Sequence, residues 1–215
     1  MDILNTKIKD ILTEKNTKIR PENIIKGVTI LGVPGNGEFT VKVDPSIETY
    51  RTGMENYITE IRNLDLTSIP TTSLSSFWSM HYNLKKVSFK NTNRITDMSF
   101  LFHNCNELEE IDFSEVNTSK VKNMQQMFYN CISLKDVPIF NTSSVTNFSN
   151  MFGVCPLLSD ESIDNIMQMC INATSYAGTK TLKILGLYSS YYPASRIQAL
   201  SNYQAFLNAG WTIGY

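Results

Sequence analysis

The chain has 215 residues, 42% of them hydrophobic, and its 19 Lys and Arg against 20 Asp and Glu leave a net charge of -1. That length allows one large or two small domains. The balanced charge supplies no basic footprint for nucleic acid and no polybasic run for an anionic membrane. No run approaches about 18 consecutive apolar residues, so no membrane insertion is expected.

Residues 1–45 are expected to form a separate attachment or oligomerisation segment. The opening MDILNTKIKDILTEKNTK carries charges throughout and has no apolar h-region, so export by a secretory signal is not expected. Leu4, Ile8 and Ile11 fall at i, i+4 and i+7, a narrow seam on a helix too short to be stable alone. It could start a trimer, dock on the next element or insert into a larger assembly. The stretch ILGVPGNGEFT that follows has glycines placed like those of a phosphate-binding loop. The lysine position of such a loop is Glu38 and its hydroxyl position is Phe39, so phosphate would be repelled. Two strands joined through Pro34-Gly35-Asn36-Gly37 make a β-hairpin instead.

From residue 46 onward the chain reads as one repeat domain. A capping helix is expected over about 46–60, with Ile47, Tyr50, Met54, Tyr57 and Ile58 on one face. Repeats fill about 61–158. Strand patterns of the form apolar-x-x-apolar-x-apolar recur at Ile61/Leu64/Leu66, Leu84/Val87/Phe89, Leu108/Ile111/Phe113 and Leu134/Val137/Ile139. Between and after them lie stripes at i, i+3, i+4 and i+7: Leu74/Phe77/Trp78/His81, Met98/Leu101/Phe102/Cys105, Met124/Met127/Phe128/Cys131 and Phe148/Met151/Phe152/Cys155. That spacing predicts a short helix in each repeat, with Asn93, Ser119 and Ser143 as N-caps. A period in the twenties with this strand pattern predicts an α/β leucine-rich-repeat solenoid. A single unit cannot bury its own apolar faces, so neighbours and end caps are required. The C-terminal cap, about 159–215, is expected to hold a helix from Ser162 to about Asn172, a strand over 181–185, a helix over about 194–208 and a last strand at 211–213.

The phrases NTSKVKNMQQMFYNCISLKDV and NTSSVTNFSNMFGVCPLL resemble the BspA-type leucine-rich repeats of bacterial and phage proteins, over roughly residues 58–158. The tail, SDESIDNIMQMC to LNAGWTIGY, is similar to the ends that close such arrays in phage-encoded proteins. The front, TKIRPENIIKGVTILGVPG, resembles a short segment of tail and baseplate-associated proteins from phages of Gram-positive hosts. The resemblance implies an adhesion or recognition module and carries no fixed binding motif.

The chemistry-bearing residues have plain structural alternatives. Cys105, Cys131 and Cys155 recur at one repeat position with His81, which makes them a stacked buried row. Zinc sites want paired spacings of a few residues, so no metal, no disulfide and no cofactor is expected. His81 reads as a core substitute for the row, and His103 as solvent-facing. Neither has a catalytic partner pattern, and no enzyme activity is expected. The acids Glu107, Glu109, Glu110, Asp112 and Glu115 are expected to form exposed ion pairs, since Lys85/Glu109/Lys135 and Lys86/Glu110/Asp136 align between repeats. Outward strand positions Lys86, Ser88, Glu110, Asp112 and Asp136 are the first candidate partner-binding surface. Tyr188, Tyr191 and Tyr192 are the second, because exposed tyrosines suit sugars and proteins; packing inside the cap is their alternative. The sequons at Asn117, Asn141, Asn147 and Asn172 need no glycan, because two of them are the repeat's own turns.

The expected role is a non-enzymatic component of a phage or phage-tail-like particle, located in the virion or an extracellular particle. It would contact bacterial surface carbohydrate or protein through its repeats and other particle proteins through residues 1–45. The alternative is a BspA-like adhesin or interaction module at the bacterial cell surface.

Overall fold

The computed structural model describes residues 28–32, 39–43, 60–67, 71–182 and 191–214. The seam of Leu4, Ile8 and Ile11, the hairpin turn at 34–37, the capping stripe over 47–58 and Tyr188 lie outside the described residues.

β1 (Val28–Gly32) and β2 (Phe39–Val43) pair antiparallel, Val28 opposite Val43 and Gly32 opposite Phe39. β2 then runs parallel to β3 (Glu60–Asp65), so the hairpin extends the sheet of the repeats. β3, β4 (Lys86–Lys90) and β5 (Glu110–Asp112) continue it in parallel, in the order β1-β2-β3-β4-β5. The first strand copy is offset from its expected register. Ile61 lies opposite Val87, not Leu84, and Leu64 opposite Phe89. Two residues separate Ile61 from Leu64 where one separates Val87 from Phe89, so a bulge takes up the surplus.

The segments expected as helices are chains of tight turns. In the first, the amides of Phe77 and His81 close on the carbonyls of Leu74 and Trp78, three residues back. The amides of Leu74, Ser76, Trp78 and Met80 donate instead to Asp97, Ser99, Leu101 and His103 in the next repeat. The same alternation joins Met98, Phe100, Phe102 and Asn104 to the third repeat, and Met124, Gln126, Phe128 and Asn130 to the fourth. Left-handed backbone at Ser76, Met80, Phe100, Asn104, Gln126, Asn130, Asn150 and Val154 turns the alternate amides outward. Each such residue costs about 1–2 kcal/mol. Inter-repeat bonds and burial offset it. The chain of turns returns to the same side at i+3, i+4 and i+7, so its apolar pattern mimics a helix. The caps differ in the same way. Side chains of Ser73, Asp97, Asn123 and Asn147 accept from the amide two residues on, at 2.9–3.1 Å, one residue ahead of each apolar stripe.

Stacking aligns like with like. Trp78, Phe102, Phe128 and Phe152 form a column of near-parallel rings, with centroids 5.4, 5.5 and 5.3 Å apart. Phe89, Phe113 and Phe140 form a second column, at 5.4 and 5.2 Å. Phe140, and not Ile139, is therefore the core residue of the fourth strand copy: Ile139 is 53% exposed. Pro138 has no amide to offer a ladder. The amide of Val137 donates to Ser162 Oγ at 2.8 Å, drawing this segment toward the following helix.

That helix, α1 (Asp160–Asn172), starts two residues earlier than expected, with Ser159 Oγ accepting from the Ser162 amide. It buries Ile163, Ile166, Met167 and Cys170, the predicted face, together with Met169. The cap continues with β6 (Thr181–Leu182), α2 (Ala194–Gln198), α3 (Tyr203–Asn208) and β7 (Thr212–Ile213), with β6 parallel to β7. The helix expected over 194–208 is split. The Asn202 amide donates to Asp164 Oδ1 of α1 at 2.7 Å in place of an intrahelical carbonyl.

Candidate functional site

The outward residues of β4 and β5 come together as the alignment predicts. Lys86 is opposite Glu110, and Lys86 Nζ lies 2.8 Å from its carboxylate; Ser88 is opposite Asp112. Asp112 accepts from the Ser114 amide at 2.9 Å, and hydrogen bonds from Ser114 hold its carboxyl below the ordinary range. The Lys85 pairing differs: its amine lies 3.4 Å from Glu107, not beside Glu109. Asp136 stands apart from the strip. It follows the point where the strand ladder ends, and its carboxylate accepts from Ser159 Oγ at 3.1 Å.

Among the described residues no backbone hydrogen bond joins β5 to 135–140. In the preceding layer the Glu109 and Glu110 amides both donate to the Lys85 carbonyl; no such pair links Lys135 and Asp136 to Glu109. The α1 side chains take over: Ser162 Oγ donates to the Lys135 carbonyl at 2.9 Å and Asn165 Nδ2 to the Val137 carbonyl at 3.0 Å. A groove of about 690 Å³ opens there, with β5 on one side, 135–139 on the other and Glu161 at its end. Ile139 also borders a second hollow of about 530 Å³, shared with Phe140, Ile171 and Thr174. The sequence did not point to this groove. Its only signals were Pro138 in the strand and the longer helix after the repeats.

Tyr192 is not a surface residue, which corrects its place in the second candidate patch. It is fully buried; its hydroxyl donates to the Cys155 carbonyl and accepts from the Leu158 amide at 2.8 Å. Arg196 lies 4.9 Å over its ring and pairs with Asp160. A phenol serving two main-chain groups at the end of the repeats is a latch for the cap. Tyr191 remains 49% exposed.

The four thiols are free and buried. Cys105, Cys131 and Cys155 donate to the carbonyls of Trp78, Phe102 and Phe128 at 3.0–3.1 Å. Burial pushes Cys105 and Cys155 up to about 12 and Cys131 well above the usual thiol value. His81 occupies the same row in the first repeat, buried, with Nδ1 3.3 Å from the Ser79 carbonyl. His103, expected to face solvent, is half-buried, stacked on Tyr129 at 5.3 Å and edge-to-face with Phe100 at 5.7 Å, and burial lowers its pKa. Tyr129 lies flat because the next repeat has Gly153 beneath it, where an added Cβ would meet the ring at 2.7 Å.

These stacked, self-similar turns define a repeat protein. The chain belongs to the family described as Mycoplasma protein of unknown function, DUF285, whose profile matches residues 50–179, more than half of the chain. The match takes in β3 to β5, the turn segments and α1. No curated protein and no solved structure matches the chain.

Proposed function

We propose that the chain is a short BspA-like, leucine-rich-repeat solenoid that acts as a non-enzymatic binding protein. In this reading it is a component of a phage or phage-tail-like particle that contacts the bacterial surface through its repeats, with residues 1–45 as the attachment segment. The observation that supports a binding role most is the strip formed by Lys86, Ser88, Glu110 and Asp112. Successive repeats place these polar side chains side by side on one exposed sheet, next to an open groove. The thiols and His81, by contrast, are held inside as packing. A second reading, a bacterial surface or protein-interaction module, draws on the family description, which names a bacterial group and no particle.

The test is binding of labelled protein to a panel of intact Gram-positive cells, with and without removal of surface carbohydrate. Saturable, strain-specific binding lost with the carbohydrate is the expected outcome. Absence of binding to every strain would overturn the surface-contact role. Deletion of residues 1–45 separates the two readings. It abolishes incorporation into particles and spares cell binding under the first, and has no such effect under the second.

A further inference from the structure

We infer that the outward face of the turn segments binds an uncharged oligosaccharide, with Phe100, His103 and Tyr129 as its aromatic centre. The inference rests on the surface-binding reading and gives the carbohydrate a site apart from the charged strip. Two independent observations carry it.

The first is charge. The chain holds 19 Lys and Arg and 20 Asp and Glu, yet none falls within 74–81, 98–105, 124–131 or 148–155. The sheet side, by contrast, carries Lys85, Lys86, Glu109, Glu110 and Lys135 in adjacent rows. The inward residues of each turn segment are core, where charge is excluded in any case. The outward residues are not, and lysine or glutamate is the ordinary occupant of such positions. Hydroxyls and amides stand there instead, Ser75, Ser76 and Ser79 in the first segment and Gln125, Gln126 and Asn130 in the third. His103 adds no charge near neutral pH, because burial lowers its pKa. Such a face offers neutral donors and acceptors, which match the hydroxyl groups of a neutral sugar.

The second is a set of rings that the core does not use. Phe100 and Tyr129 are large aromatic residues outside the hydrophobic core. Phe100 has φ 56°, in the left-handed region where the other repeats place Ser76, Gln126 and Asn150. A bulky residue in that region is an outlier, and such outliers gather at functional sites. His103 stacks on Tyr129 and meets Phe100 edge to face, and Gly153 in the next repeat lets Tyr129 settle against the main chain. Asn104 and Asn130 follow His103 and Tyr129 in sequence, and Asn130 Nδ2 donates to Asn104 Oδ1 at 2.9 Å. Each amide has more donor and acceptor capacity than that bond uses. A pyranose has the same two-sided character: apolar C–H faces for the rings and hydroxyls for the amides. Rings and amides already held by one another lose little freedom on binding.

The experiment is binding of the full chain to a panel of immobilised oligosaccharides. Neutral members are built from glucose, galactose, rhamnose and N-acetylhexosamines; anionic members bear uronic acid or phosphate. Phe100→Ser and Tyr129→Ser are measured beside the wild type, with Lys86→Ala as the control on the charged strip. Serine stands at both equivalent positions of the first repeat, Ser76 and Ser79, so the fold is retained, which circular dichroism verifies. Saturable binding to a neutral oligosaccharide is expected, weakened about tenfold or more by either serine variant and unchanged by Lys86→Ala. Raising salt from about 0.05 to about 0.5 M should leave it unchanged, since no charge pair is there to screen. Failure to bind any neutral oligosaccharide would overturn the inference. Full affinity in either serine variant would do the same, as would affinity lost with added salt. Wild-type protein that binds cells but no neutral oligosaccharide loses this inference alone, and the surface-binding reading stands.

Discussion

The turn side and the sheet side of the repeats are built from the same units, yet one is continuous and the other stops. On the turn side four segments, from 74–81 to 148–155, are joined rung by rung. On the sheet side the ladder ends at β5, and α1 holds the next segment with side chains instead. Repetition of main-chain geometry needs only that each unit present its amides in the same phase. The turn segments meet this by placing small caps and left-handed residues at matching positions. The strand side fails it once, at Pro138, and a single missing amide in a short strand is enough.

The largest effect should come from breaking the turn side in its middle. Phe128 is fully buried between Phe102 and Phe152. Phe128→Ala should lower stability by about 3–5 kcal/mol in urea unfolding; a loss under about 1 kcal/mol would mean that the columns do not couple the repeats.

The side-chain substitute on the sheet side should matter less. Ser162→Ala removes the oxygen that accepts from Val137 and donates to Lys135. It should cost about 1–3 kcal/mol and raise hydrogen exchange at the Val137 amide more than at Val121 in the turn side. Equal exchange at both would show that α1 does not hold the edge.

Alkali sharpens the same contrast. A buried thiol whose folded pKa lies near 12 rather than 9.0 stays protonated in the fold while the unfolded chain ionises. The stability it contributes is complete below about pH 9 and declines as pH rises toward about 12. None of the four thiols should react with a disulfide reagent at pH 8 before unfolding, and all four should react in denaturant. Rapid reaction of one in the native protein would contradict the closed row.

Smallest of all should be Lys86→Ala on the exposed strip. Lys86 and Glu110 are 41% and 63% exposed, and water screens such a pair. A change below about 1 kcal/mol is expected in the melting curve, and a larger one would show the strip to be part of the fold.

Much of this was legible in residue order. The recurrence of Phe and Cys at fixed intervals predicted which side chains stack, and Lys86 with Glu110 followed from position matching. The i, i+3, i+4, i+7 stripes did not distinguish a helix from a chain of turns, because both return to one side at those steps. The caps Asp97, Asn123 and Asn147 held that information, one residue before each stripe. The candidate site was half legible. Its polar strip was predicted, but Tyr192 was buried by a latch to Cys155 and Leu158, residues more than thirty positions away.

The sequence by itself determined the repeat, its period and its buried columns, because apolar residues at equivalent positions have no other place to go once units stack. Pro138 marks in the sequence where the ladder stops, but tertiary structure alone decided what holds the segment beyond it. Ser162 and Asn165, on a helix after the repeats, take the onward-facing main-chain groups of 135–137 that a further strand would otherwise bond. No local pattern encodes such a substitution: it depends on which partner is nearer once the chain has folded.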